Sequence, residues 1–286
     1  MGRWVIGLVA FVAALAAPSS LAQVVLAKSV FHTATLRSNA ITSFTVSCAP
    51  GYVAASAGIS SPAAGVTLLG SRPVGIRAYS FRFGNPVNNP TQQVTVVVAC
   101  RKFSFTAPTR LKVAPVKLTS TVAPGQAAAA ALACPSNTVP AGWGEGIDPA
   151  RSGQGYIPGA AARVSLRKVS LNLRGFAFSL RNNGAKAQSV TLYGTCLTAL
   201  RPSGASHEQL HVKISTVRTL LRPGNQRVVG RCSRSWVSLA AGYTLRSPLT
   251  EIEGAAAIGA GGRWWVASEG PGQTTADLQL ICTRLR

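Results

Sequence analysis

Acidic residues are the scarcest chemical group in this chain of 286 residues. Seven Asp and Glu stand against 29 Lys and Arg, which gives a formal net charge of +22 at neutral pH. Residues 23–144 contain no acid at all. Glu251 and Glu253 stand two residues apart, so they would share one side of a strand, where paired acids can serve glycoside hydrolysis. We interpret them instead as a solvated strand end. Unless the seven carboxylates of the chain are buried, their small number predicts that stability depends only weakly on pH between neutral and about 3.

Several motifs of enzymes and metalloproteins are missing as well. No two cysteines have the CxxC spacing of structural zinc sites. The chain has neither the GxSxG elbow of serine hydrolases nor a phosphate-cradling glycine loop. The one sequon-like segment, Asn89-Pro90-Thr91, is disqualified by its proline, so nothing indicates a glycosylated eukaryotic ectodomain.

Long hydrophobic runs are confined to the N-terminus. Arg3 precedes an apolar stretch from Trp4 to Ala17, and Ser20-Leu21-Ala22 supplies small residues for cleavage. This pattern predicts a secretory signal peptide over residues 1–22. The run is shorter than the roughly 20 apolar residues that span a bilayer. We therefore expect a secreted, periplasmic or cell-surface protein whose mature chain has no transmembrane segment.

Cysteine occurs six times, and its spacing recurs. A frame of cysteine, valine five residues later and glycine ten residues later begins at Cys48, Cys134 and Cys232. A second cysteine follows each frame, at Cys100, Cys196 and Cys282. In an exported protein this arrangement predicts three structural disulfides. Their predicted pairs are Cys48–Cys100, Cys134–Cys196 and Cys232–Cys282.

Apolar and polar residues alternate ahead of the cysteines, which is the pattern of β-strands. Val94, Val96 and Val98 share the parity of Cys100, so this cysteine belongs to the inward face of its strand. Two such strands in each repeat, bridged by a disulfide, are typical of an immunoglobulin-like sandwich. The immunoglobulin signature is incomplete, because no tryptophan stands at one fixed place between the cysteines.

An aromatic pair recurs between the first and second cysteine of each repeat. The pairs are Phe81 and Phe83, Phe176 and Phe178, and Trp264 and Trp265. We interpret these residues as core anchors of a middle strand, with surface binding aromatics as the alternative.

Together the patterns predict an all-β protein of three tandem, disulfide-pinned, immunoglobulin-like β-sandwich repeats. The predicted repeats cover residues 23–106, 107–201 and 208–286. Pro108, Pro115 and Pro202-Ser203-Gly204 mark short joints, which suggest an elongated rod. The layout of cysteine, glycine, aromatic pair and second cysteine resembles modules of secreted bacterial proteins, and that resemblance implies no activity.

The excess of positive charge predicts an anionic partner. Polysaccharides, lipid headgroups and nucleic acids all attract such a surface. The bases are scattered and no nucleic-acid-binding signature is present, so specific recognition of nucleic acid is not expected. A genome or habitat bias is the alternative, since Arg outnumbers Lys by 22 to 7. We expect a non-enzymatic binding or structural protein of the cell envelope or extracellular space, without a cofactor.

One motif supports a different class of function. His207-Glu208-Gln209-Leu210-His211 matches HExxH and in these five residues resembles zinc metallopeptidases. The resemblance implies zinc bound by His207 and His211, with Glu208 as the general base. The motif needs a helix, yet it follows a turn-forming segment and leads into an alternating, strand-like one. A helix at these positions would favour the peptidase, and a strand would favour the binding protein.

Overall fold

The structure is a computed structural model that describes residues 24–63, 65–104, 110–147, 164–200, 210–247, 250–268 and 271–285. It is 76% strand and contains no helix among these residues, so the all-β prediction is confirmed. The described part of the chain has no helix able to cross a membrane. The predicted signal peptide, residues 1–22, lies outside it.

Within the described ranges, eighteen strands form three sets of six, which we call units 1, 2 and 3. Unit 1 contains β1 (Val24–Leu36), β2 (Ala40–Ser47), β3 (Val53–Ser61), β4 (Thr67–Val74), β5 (Ala78–Asn85) and β6 (Gln92–Ser104). Unit 2 contains β7 (Arg110–Val122), β8 (Ala127–Ala133), β9 (Val139–Ile147), β10 (Val164–Asn172), β11 (Gly175–Asn182) and β12 (Gln188–Leu200). Unit 3 contains β13 (Leu210–Leu221), β14 (Gly224–Arg231), β15 (Val237–Leu245), β16 (Thr250–Ile258), β17 (Gly261–Ser268) and β18 (Thr274–Leu285).

Strand order is the same in the three units. The first, sixth and third strands pair as one layer, and the second, fifth and fourth strands pair as the other. The layers enclose the core, which contains all but one of the paired aromatics of the fifth strands. Five of these six aromatics are fully buried, namely Phe81, Phe83, Phe176, Phe178 and Trp264. Trp265 is half-buried and lies beside the guanidinium of Arg227.

A disulfide joins the two layers of each unit. In every case the first cysteine directly follows the second strand and the other lies in the sixth strand. The bonded pairs are Cys48–Cys100, Cys134–Cys196 and Cys232–Cys282, with Cα atoms 5.7, 5.7 and 5.8 Å apart. The structure therefore contains the three pairs that the spacing predicts.

Asparagine closes the fifth strand of units 1 and 2. Asn85 is fully buried, and its Nδ2 donates to the carbonyl oxygens of Leu36 and Pro90, both at 3.0 Å. Asn182 makes the corresponding bonds in unit 2, to Val122 at 2.9 Å and Lys186 at 2.8 Å. Each buried asparagine is therefore a fixed link between the end of the first strand and the next turn.

The units do not form the predicted rod of separate sandwiches. Four sheets lie in a propeller-like ring. Two of them have six strands and are shared between neighbours, in the orders β2-β5-β4-β9-β12-β7 and β13-β18-β15-β10-β11-β8. The fourth strand of one unit thus pairs with the third strand of the next. The prediction of an elongated rod is wrong, because edge strands of neighbouring units pair with each other. Of the predicted joints, Pro115 lies inside β7, whereas Pro108 and Pro202-Ser203-Gly204 lie outside the described residues.

The recurring glycine of the cysteine frame lies at these junctions. A Cβ atom on Gly144 would stand 2.0 Å from the carbonyl oxygen of Ser71 in unit 1. One on Gly242 would stand 2.4 Å from the carbonyl oxygen of Val169 in unit 2. Since real Cβ atoms do not approach oxygen so closely, only glycine lets the two backbones meet there.

Gly58 shows that the third junction closes the ring. Its Cβ would stand 1.8 Å from the carbonyl oxygen of Ala255, so β3 of unit 1 lies directly against β16 of unit 3. No ladder of backbone hydrogen bonds joins these strands in the described ranges, and each ends a three-stranded sheet. Glycine thus has the same role at all three junctions, although only two have paired strands.

Arg101 supplies the hydrogen bonds at the third junction. Its buried guanidinium donates to the carbonyl oxygens of Ser238, Gly259, Cys100 and Lys28 at 2.7–3.4 Å. It also donates to Ser238 Oγ at 3.3 Å. Burial lowers the pKa of Arg101 to about 10, so the group remains charged at neutral pH. The side chain therefore links unit 1 to unit 3 through backbone dipoles.

Replacing Gly144 by alanine tests the junction. We expect Gly144→Ala to lower the free energy of unfolding by about 1–3 kcal/mol, the usual cost of overpacking. Urea unfolding measures the loss. Gly272→Ala is the matched control, because a Cβ at Gly272 meets no atom within 4 Å. Equal stability of the two variants would contradict the role of the glycine.

Arg101→Met tests the closing link. We expect a loss of about 3 kcal/mol in urea unfolding, since each buried acceptor left without a partner costs about 1–3 kcal/mol. Lys102→Met is the control, because Lys102 is the exposed neighbour on the same strand. If Arg101→Met and Lys102→Met were equally stable, the junction would not depend on Arg101.

Candidate functional site

The HExxH motif falls largely outside the described residues. His207 and Glu208 are not described, whereas His211 lies in β13 opposite Arg284 of β18. The Oγ1 of Thr283 donates to the carbonyl oxygen of His211 at 3.0 Å. The end of the motif is therefore extended rather than helical. In the described ranges, no three His, Cys, Asp or Glu side chains are grouped so that they could hold a metal ion.

One end of the ring carries positive charge without a described acidic side chain. We call it the cysteine end, where the first strands begin, the sixth strands end and the fourth and fifth strands turn. Its described bases are Lys28, Arg72, Arg77, Lys102, Lys112, Arg174, Lys213, Arg231, Arg234, Arg263 and Arg284. Among the described side chains, no Asp or Glu lies at this end. Asp277 lies at the opposite end and is paired with Arg218 and Arg246 at 2.8 and 2.9 Å.

A cleft on the outer surface lies where units 1 and 2 share a sheet. We call it the arginine cleft, and its volume is about 230 Å³. Its lining includes Ser43, Gly70, Arg72, Ser80, Arg82, Gly146 and Tyr193. They belong to the adjacent strands β2, β5, β4, β9 and β12, so the pairing of these strands builds the cleft.

Strand register explains why the two arginines converge. Arg82 lies opposite Ser43 on one side and opposite Gly70 on the other, while Arg72 lies opposite Ser80. All four polar residues therefore share the outer face of the sheet. Arg72 is exposed and Arg82 is half-buried. Arg72 and Arg82 occupy diagonal positions on neighbouring strands, from which their long side chains reach a common point.

Glycine forms the floor of the cleft and tyrosine one wall. Gly70 and Gly146 lie opposite each other on β4 and β9, so the sheet has no side chain at this point. A Cβ on Gly146 would lie 3.4 Å from the Tyr193 ring, which closes one side. Two guanidinium groups, two serine hydroxyls and a phenol around a hollow are suited to a sulfate, phosphate or carboxylate group.

Glu145 borders the same cleft but points to the other side of the sheet. It lies opposite Ser71 on β4 and the buried Leu192 on β12, and directly paired residues share a face. Its side chain therefore enters the interior, where it lines a second, central cavity. The residue as a whole is half-buried, because the cavity leaves part of it accessible. Burial of its carboxyl group disfavours the charged form and raises the pKa of Glu145 to about 7.

No protein-family model matches the chain, and no curated protein matches it. We therefore infer the function from the arrangement of side chains. The sequence patterns predict neither the arginine cleft nor the inward carboxylate. The alternation of Ser80 and Arg82 with the core residues Phe81 and Phe83 was the available signal for an outer face. Nothing local indicated that Gly70 and Gly146 would meet.

The buried carboxyl changes the expected dependence of stability on pH. The pKa of Glu145 is raised from 4.5 to about 7, so the folded state holds a proton that the unfolded state releases between these values. The free energy of unfolding should therefore fall as pH rises from about 4.5 to 7. Urea unfolding at pH 5 and pH 8 measures this, and Glu145→Gln should remove most of the difference.

Asp277→Asn provides the matched control for that experiment. Hydrogen bonds from Arg218 and Arg246 lower the pKa of Asp277, so its contribution is lost only at acid pH below this range. The control should keep the slope of the unaltered protein between pH 5 and pH 8. A slope unchanged by Glu145→Gln would show that Glu145 does not titrate there.

Proposed function

We propose that the protein is a secreted, non-enzymatic binding protein for an anionic polysaccharide of the cell envelope or extracellular space. The single observation that carries the proposal is the arginine cleft, where Arg72 and Arg82 share one face over a glycine floor. Acidic groups along a polysaccharide would occupy the cleft, and sugar hydroxyls would bond to Ser43, Ser80 and Tyr193.

The charge distribution supports the same partner. A polymer bound at Arg72 can continue over the cysteine end, where all the charged side chains that the structure describes are basic. Repeated contacts by scattered bases suit a long chain of repeating charge better than a compact ligand. The three disulfides are consistent with an oxidising environment outside the cytoplasm.

Substituting the two arginines tests the proposal. The double variant Arg72→Gln/Arg82→Gln should bind heparin at least tenfold more weakly, because hydrogen bonds to charged groups contribute about 1.5–3 kcal/mol each. Its affinity should also depend less on salt concentration. Isothermal titration calorimetry at several salt concentrations measures both quantities, with neutral dextran as a ligand that should not bind.

Arg181→Gln/Lys186→Gln removes the same charge from exposed positions of unit 2 that lie outside both the cleft and the cysteine end. This control should bind heparin within about twofold of the unaltered protein, since isolated exposed charges contribute about 0–1 kcal/mol. An equal loss in both double variants would mean that net charge, and not the cleft, attracts the polymer. Tighter binding of single-stranded DNA than of heparin would assign the surface to nucleic acid instead.

A further inference from the structure

The centre of the ring contains a cavity to which all three units contribute. We call it the central cavity, and its volume is about 570 Å³. Unit 1 contributes parts of β3, β4, β5 and β6 together with residues 62, 63, 65 and 66. Units 2 and 3 contribute the end of β9, the start of β10 and parts of β15 and β16. The cavity therefore exists only because the ring closes. Its volume lies within the range of small-molecule sites.

Apolar side chains outnumber polar ones in the described lining, although polar atoms contribute more of its exposed surface. The aliphatic and aromatic side chains are Ile59, Val66, Leu68, Phe83, Val94, Val164, Leu166 and Ile252. Polar groups are few and come from separate strands, chiefly Glu145, Arg167, Asn225 and Tyr243. A cavity that combines apolar side chains with polar groups at fixed points can hold a small organic ligand that has both an apolar part and a polar group.

Glu145 is the unusual group in this lining. Its carboxyl has no hydrogen bond or ion pair with any described residue. The neighbouring polar groups are engaged elsewhere: Tyr243 OH donates to the carbonyl oxygen of Leu166 at 3.0 Å, and Arg167 Nη2 donates to that of Ser247. A carboxylate without a partner in apolar surroundings destabilises the fold. A ligand that carries a positive charge would compensate for it.

We propose that the central cavity binds a small amphipathic amine, with its ammonium group on Glu145 and its hydrocarbon part among the aliphatic residues. The ammonium supplies both the charge and the hydrogen-bond donors that the carboxylate lacks. The apolar tail displaces water from Leu68, Phe83, Val164 and Ile252. This site is separate from the arginine cleft, because the two lie on opposite faces of the shared sheet and favour ligands of opposite charge.

A series of ligands that differ only in the head group tests the proposal on the unaltered protein. Decylamine, decanol and decanoate are titrated at pH 8 and below their micellar concentrations, with calorimetry as the readout. At this pH Glu145 is ionised and the amine is protonated. We expect decylamine to bind at least tenfold more tightly than decanol, and decanoate to bind most weakly. Equal affinities, or no binding by any of the three, would overturn the proposal.

Two variants locate the amine. Glu145→Gln should weaken decylamine binding at least tenfold and leave decanol binding unchanged, because only the charged contact is lost. Asp277→Asn removes the other described carboxylate, which lies on the surface, and should leave both affinities unchanged. Equal loss in the two variants would place the amine on the exterior and overturn the site. Thermal unfolding of each variant checks that the fold is intact.

Amine binding by the central cavity and heparin binding by the arginine cleft can be lost independently of each other. Heparin affinity is measured on the same Glu145→Gln protein, and we expect it to equal that of the unaltered chain. A loss of heparin binding with the amine would show that the two faces are one site, which contradicts the separate cavity. Loss of amine binding alone supports the central cavity.

Discussion

The close approach of two backbones at each junction of the ring is the constraint on which the rest of the structure depends. The third strand of every unit meets the fourth strand of its neighbour at Gly144, Gly242 or Gly58, where a side chain as small as a methyl group does not fit. The approach turns two pairs of three-stranded layers into continuous six-stranded sheets. It also brings the third strands together at the centre, where Trp143 Nε1 donates to the carbonyl oxygen of Ala241 at 2.6 Å.

Two kinds of hydrogen bonding join neighbouring units at the junctions. Units 1 and 2, and units 2 and 3, are joined by paired strands, so backbone groups satisfy one another. Units 3 and 1 are joined by Arg101, whose donors bind carbonyl oxygens of both units. A guanidinium suits this role because its planar donors can serve several acceptors at once. The disulfides act within units, so ring closure depends on these non-covalent contacts.

The two candidate sites follow from the alternation of side chains in one shared sheet. On β5, Ser80 and Arg82 face outward while Phe81 and Phe83 face the core. On β9, Gly146 leaves the outer floor empty while Glu145 points inward. Because successive residues of a strand lie on opposite faces, adjacent positions can form a cationic cleft outside and an acidic point inside. The chemistry of the two sites is therefore opposite although they share a junction.

The sequence by itself determined the strands, the cysteine pairs and most of the core aromatics, since period two and recurring spacing are local signals. It also located the glycine of the cysteine frame but not its purpose. Only the tertiary structure decided that the units form a ring, that Arg101 is buried and that Arg72 and Arg82 share a face. These features depend on pairings between residues far apart in the chain. Such pairings are set by backbone contact rather than by neighbouring residues, so local patterns do not contain them.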